Sequence, residues 1–104
     1  MPFTVKANTL VQIPGYPLRS QTVAYTGTAA ASSAFGNRTQ MIRVRATTDC
    51  FISIGTAVTA TSSSHFLAAN ETQDFAVNEG DVVSAIQSAV SGSLYVSEFE
   101  IRNY

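Results

Sequence analysis

The chain has 104 residues and a net charge of −1, with 45% hydrophobic and only 12% charged residues. That is one domain's worth of chain, able to bury roughly two-thirds of its unfolded surface, and about half the charge of an average soluble domain. No stretch is long and apolar enough to cross a bilayer, and Met1 to Lys6 lack the basic start and apolar run of a signal peptide, which points to synthesis and folding in a cytoplasm.

Residues 1–39 read as an irregular N-terminal arm. Thr9-Leu10-Val11-Gln12-Ile13 has the composition of a strand, and Pro14-Gly15-Tyr16-Pro17 punctuates it. Thr22 to Thr26 alternate and predict a second strand. Residues 27–37 are small and low in complexity, a flexible loop or a short helix, with too few apolar side chains to be fixed in place.

Residues 40–104 read as a β-sandwich core, with both regions forming one domain overall. Ile42, Val44 and Ala46 alternate with Arg43 and Arg45, the period of a strand with one buried face. Thr47-Thr48-Asp49 is a turn signal before the alternation of Cys50, Ile52 and Ile54, so these two strands are predicted as a hairpin. A Ser/Thr loop, Thr59 to Ser64, precedes short strands at Phe66-Leu67 and around Phe75 and Val77. Asn78-Glu79-Gly80-Asp81 is a turn, and Val82 to Ile86 a strand, although the apolar residues to Val90 fit a helix almost as well. After Ser91-Gly92-Ser93 the last strand runs from Leu94 to Ile101, where a one-residue slip in the apolar period predicts a bulge near Ser97-Glu98. Turn signals about every ten residues give an all-β fold, a β-sandwich or jelly roll. Ile42, Val44, Ile52, Ile54, Phe75, Val77, Leu94 and Val96 are the predicted core.

Charge is segregated along the chain. Residues 1–46 hold five basic residues and no acidic one, and residues 47–104 hold seven acidic residues and one arginine. Either the two signs steer one surface onto another, or the two parts interleave in one sheet and neutralise each other.

The residues that carry chemistry elsewhere are sparse. His65 sits alone in a Ser-rich loop, and Ser64, its neighbour, points to the opposite side on an extended chain. Cys50 lies beside Phe51 and Ile52 and reads as a small buried hydrophobe. One histidine and one cysteine do not make a structural zinc site. Glu98 and Glu100 share a strand face and read as an exposed pair rather than as glycosidase carboxylates. Glu79-Gly80-Asp81 lacks the ligand spacing of a calcium loop, and there is no Walker-type glycine loop. No catalytic residue, metal or cofactor is therefore expected. Arg43 and Arg45, with Arg38 nearby, are too few for a nucleic-acid surface at a sequence pI of about 5.6, and no membrane partner is expected. Asn37-Arg38-Thr39 and Asn70-Glu71-Thr72 match the glycosylation pattern by coincidence in a cytoplasmic protein.

Four stretches between Met41 and Ser97 resemble small virion proteins of tailed bacteriophages: Ile42 to Thr48, Cys50 to Gly55, Phe75 to Asp81 and Ser91 to Val96. The resemblance covers about half the chain. It implies a jelly-roll or sandwich protein on the capsid exterior, a decoration or cement protein that stabilises the shell, with the major capsid protein and copies of itself as partners. The resemblance implies that it sits as a trimer or bridges neighbouring capsomers. It supplies no catalytic residue. The alternative is a receptor- or glycan-binding module of a tail or head fibre, for which the lack of Trp, of repeats and of heptads gives little support.

The candidate contact residues are Lys6, Leu10, Val11, Ile13, Tyr16, Leu18 and Arg19 in the arm, and Arg43 and Arg45 on a strand. Fully extended, residues 1–39 span at most roughly 100 Å at about 3.3 Å per residue. The arm is expected to reach a neighbouring subunit or the capsid, with Lys6 and Arg19 meeting acidic groups there. The other reading makes residues 9–13 and 22–26 ordinary strands of the same domain.

Overall fold

The period-two runs form eight strands in the computed structural model, which describes residues 15–101. They are β1 (Gly15–Tyr25), β2 (Ala30–Ala31), β3 (Met41–Ala46), β4 (Cys50–Gly55), β5 (His65–Leu67), β6 (Thr72–Ala76), β7 (Val82–Gln87) and β8 (Gly92–Ile101). Val82–Gln87 is a strand, and among the described residues there is no helix.

The pairings have one logic. Strand β1 pairs with β8, β2 with β7, β3 with β6 and β4 with β5, all antiparallel. This is a long two-stranded ribbon folded back at the β4–β5 turn. Rolling the ribbon adds two further contacts, β3 with β8 and β4 with β7. The result is two four-stranded sheets, β1-β8-β3-β6 and β2-β7-β4-β5. It is a jelly roll, a two-sheet sandwich built on Greek-key connections.

The core lies between the sheets. Val23, Ile42, Val44, Leu94 and Val96 from the first sheet meet Cys50, Ile52, Leu67, Val83 and Ala85 from the second, and all are buried. Val77 is buried too, and Ile54 and Phe75 pack against this cluster, half-buried, so the predicted inward set is the observed one. Cys50 is buried, and burial pushes its thiol pKa up, with a hydrogen bond from Tyr25 acting the other way.

Four local expectations are corrected. Strands β3 and β4 are not a hairpin: they lie in different sheets, and Thr47–Asp49 carries the chain across the sandwich. Tyr25 secures that crossing, its hydroxyl donating to Thr48 O at 2.8 Å and accepting from Thr48 N at 3.2 Å. The bulge is on β1 rather than β8. The β8–β3 register runs unbroken from Leu94 to Phe99, while the β1–β8 register slips between Pro17 and Arg19 and leaves Leu18 as the extra residue. Phe99 and Ile101 break the apolar period because they lie on the outer face, where Phe99 is opposite Met41. Residues 27–37 are pinned rather than loose. Phe35 is buried, its N–H donates to Asp81 O at 2.8 Å, and Ser32 N donates to Val83 O at 2.9 Å. Finally, no boundary falls between residues 39 and 40. Ten residues of β1 pair with β8, so residues 15–25 are a strand of the first sheet. The segment 9–13 lies outside the described residues.

Candidate functional site: the Glu98 junction and the outer faces

Strand β8 presents Leu94, Val96 and then Glu98 to the interior. A carboxylate thus occupies a position that the alternation reserves for an apolar side chain. Glu98 is 1% exposed, not on an open strand face as expected. Four donors converge on it. Arg19 Nε and Gln21 Nε2 (2.9 Å) donate to Oε2, and Thr39 Oγ1 (2.7 Å) and Gly36 N (3.2 Å) donate to Oε1. Burial alone would raise its pKa. The hydrogen bonds from Thr39, Arg19, Gln21 and Gly36 outweigh burial and hold the carboxyl below its usual range.

Arg19 and Gln21 reach Glu98 from β1 because the Leu18 bulge sets Arg19 opposite Glu98. The same two side chains also hold the segment before Gly36. Arg19 Nη2 donates to Ala34 O at 2.7 Å, and Gln21 exchanges hydrogen bonds with Ser33 O and Ser33 N. Next to this junction is an open groove of about 310 Å³ lined by Leu18, Arg19, Asn37, Arg38, Thr39 and Glu98. With its oxygens occupied and its pKa low, Glu98 is a fixed anion that ties β1, β8 and the 33–39 segment together. It is not poised to exchange a proton near neutrality.

The charge segregation resolves as interleaving. Each ion pair among the described residues joins an arginine of the first 46 residues to a carboxylate of the rest: Arg19–Glu98, Arg38–Glu100 at 2.7 Å and Arg43–Asp74 at 2.8 Å. Arg19, expected to meet an acidic group of a partner, meets one of its own chain.

The outer face of the first sheet is organised in cross-strand rows. Pro17, Phe99, Met41 and Ala76 form an apolar row. Ser20, Ser97, Arg43 and Asp74 form the next. There the Arg43 guanidinium bonds both Asp74 oxygens and lies 5.5 Å from the Phe99 ring centre. The third row is Thr22, Tyr95, Arg45 and Thr72, with Tyr95 51% exposed. On the second sheet, Ile86, Phe51 and Phe66 form an outer apolar row, Phe51 and Phe66 meeting edge to face at 5.6 Å. Phe66 is 47% exposed.

Of the expected contact residues, Tyr16, Arg19 and Arg45 are exposed and Leu18 is half-buried at the bulge. Arg43 is half-exposed in its ion pair. The structure brings Leu18 and Arg19 together at one groove, and Arg43 and Arg45 together on the outer face. Lys6, Leu10, Val11 and Ile13 lie outside the described residues. His65 is exposed at the start of β5, its Nε2 2.8 Å from Gln73 Oε1. Among the described residues, no group of three His, Cys, Asp or Glu side chains is placed to hold a metal. Sequence reasoning missed the Glu98 junction. The signal was there: carrying the Leu94–Val96 alternation one step further puts Glu98 inside.

Comparisons with protein-family models, with curated proteins and with solved structures find no match for this chain.

Proposed function

We propose that the protein is a structural component of a virion, a capsid decoration or cement protein that stabilises the shell by protein–protein contacts. The observation that carries this reading is the pair of apolar rows, Pro17–Phe99–Met41–Ala76 and Ile86–Phe51–Phe66, on the outer faces of both sheets. In these rows Pro17, Ala76 and Phe66 are exposed, Phe99, Ile86 and Phe51 half-buried and Met41 buried. Outward apolar side chains in contiguous rows favour docking against other protein surfaces, and a chain with only 12% charged residues has little self-repulsion to keep copies apart. The double-sheet jelly roll recurs in viral capsid domains. Because one fold hosts many functions, the surface rows carry the reading and the fold only agrees with it. The partners on this reading are the major capsid protein and further copies of the chain, as a homotrimer on the capsid exterior.

The test is quantitative mass spectrometry of purified intact particles. The reading expects the chain in many copies per particle and its loss with a fall in shell stability. Its absence from intact particles overturns the reading.

A second reading has one observation in its favour. Tyr95 is exposed between Thr22 and Arg45 on the first sheet, and Phe66 is exposed beside Phe51 on the second, and jelly rolls also serve as lectins. Under it the protein is a glycan- or receptor-binding module of a fibre, and a glycan array gives a signal that Tyr95→Ala or Phe66→Ala removes.

A further inference from the structure

We infer that the edge of β6, which pairs on its far side with no described strand, is an acceptor for residues 9–13 of a second copy of the chain. The four sheet edges are not equivalent. Strand β1 carries Pro17 and the Leu18 bulge, and its Arg19 and Gln21 are engaged with Ala34 and Ser33. Strand β2 has two residues and β5 has three. Short strands, prolines and bulges are the devices that keep an edge from pairing. Strand β6 has five residues, Thr72–Ala76, with no proline, glycine, lysine or bulge, and its single charge, Asp74, is neutralised by Arg43. Beside this edge is a groove of about 120 Å³ lined by Met41, Asp74, Phe75, Ala76 and Ile101. It has room for one branched aliphatic side chain.

The occupant follows from sequence and reach. Thr9-Leu10-Val11-Gln12-Ile13 is the strand-like run nearest β1 outside the described residues, and in an extended conformation it would offer Val11 and Ile13 on one side. Its own copy cannot deliver it. In the order β1-β8-β3-β6, a strand added beyond β6 stands four strand spacings from β1, roughly 19 Å. Ile13 is two residues from Gly15, the first residue of β1, and so reaches only about 7 Å from it, and Val11 about 14 Å. A second copy has no such tether. Charge agrees: Lys6 is the sole charged residue before β1, and Glu71 and Glu79 flank β6. The added strand supplies backbone hydrogen bonds to the edge and an aliphatic side chain to the groove. The contact is head-to-tail, so it closes only as a ring.

This refines the assembling role proposed above, and it is tested without particles, so the two fail separately. Two full-length variants break the two halves of the contact: Val11→Asp with Ile13→Asp in the donor, and Ala76→Lys in the acceptor, with Thr72→Lys in its place if Ala76→Lys does not fold. Circular dichroism checks the fold, and sedimentation equilibrium reads self-association. The wild type is expected to associate, each variant to associate at least ten-fold more weakly, and an equimolar mixture to regain heterodimers, because an intact donor then meets an intact acceptor. A wild type that stays monomeric at millimolar concentration overturns the inference. So does association that survives in folded variants of both kinds, or a mixture no stronger than its parts.

Discussion

The two long sides of the jelly roll are closed in different ways. On one side β1 is bound to the 33–39 segment through a buried carboxylate, with Arg19, Gln21, Gly36 and Thr39 all donating to Glu98. On the other side β5 and β6 are bridged at the surface, His65 Nε2 at 2.8 Å from Gln73 Oε1, with the His65 ring edge-on to Phe75 at 5.5 Å. A polar contact is worth most where water cannot replace it. The first side therefore fixes the first and last strands of the ribbon to each other, and the second side is closed by contacts that water can replace. Strand length adds to the contrast. Strand β1 has ten paired residues on β8, whereas β5 has three on β4. Native-state amide exchange should find β5 and β6 opening before β1 and β8.

The largest effect comes from breaking the latched side. Glu98→Ala leaves Thr39 Oγ1 and Gly36 N without their partner in a buried place, and removes the anion that holds Arg19. Because Arg19 is half-exposed, water recovers part of its loss. The expected cost is about 2–4 kcal/mol in chemical denaturation, below the worst case for a wholly buried pair. A cost under about 1 kcal/mol would show that the junction is not what closes this side. Next comes Gly92, at the far end of the same strand pair. A Cβ there would fall 2.6 Å from the Tyr25 hydroxyl and 2.7 Å from Thr47 Oγ1, and against Thr48 Oγ1. Gly92→Ala should cost about 1–3 kcal/mol through overpacking, read as a lower denaturation midpoint at unchanged slope.

Acid gives the third test. The Glu98 carboxyl is held below the usual carboxylate range in the folded chain. A depressed folded pKa contributes stability that is complete above the unfolded value, about 4.3 for Glu. That stability is lost as pH falls through the lower, folded value. Unfolding free energy measured between pH 7 and 2 should therefore show no pH dependence from Glu98 near neutrality and fall steeply below about pH 4. Glu98→Gln should be less stable than wild type at pH 7 and should lose that part of the acid slope. An unchanged slope in the variant would contradict the role given to the ionised form.

The inward half of the fold was legible in the sequence because burial repeats every second residue. Ile42, Val44, Ile52, Leu94 and Val96 needed only that period to be placed. Topology was not legible in the same way. The Thr47–Asp49 turn signal looks the same whether the next strand returns in the same sheet or crosses to the other, and only the rolled ribbon decides. Residues 27–37 misled for a related reason. Their order comes from backbone hydrogen bonds to Asp81 and Val83 and from one buried ring, Phe35, rather than from a local pattern. Glu98 was misplaced because a carboxylate is ordinarily outside. Its four donors are scattered between residues 19 and 39, so no local motif announces them. The ion pairs carry the same lesson. Arg19–Glu98 and Arg38–Glu100 span 79 and 62 residues, a long-range order visible in the sequence only as a basic first half and an acidic second half.

The smallest effect should come from the other side. His65 is exposed, and its partner Gln73 is held separately at its other end, Gln73 Nε2 donating to Glu71 Oε1 at 3.2 Å. Losing an exposed polar contact lets water take its place, so the net cost is a fraction of a hydrogen bond's usual 0.5–1.5 kcal/mol. His65→Ala removes that bridge and the edge-on contact with Phe75, and should cost at most about 1 kcal/mol. Global denaturation would barely register it. Amide exchange would, because the lost contact bears on β5 and β6 alone: the amides of Phe66, Leu67 and Phe75 should exchange faster while those of β1 and β8 hold their rates. Equal acceleration across both sides would mean that the two closures are coupled, and a cost near that of Glu98→Ala would mean that they are equivalent.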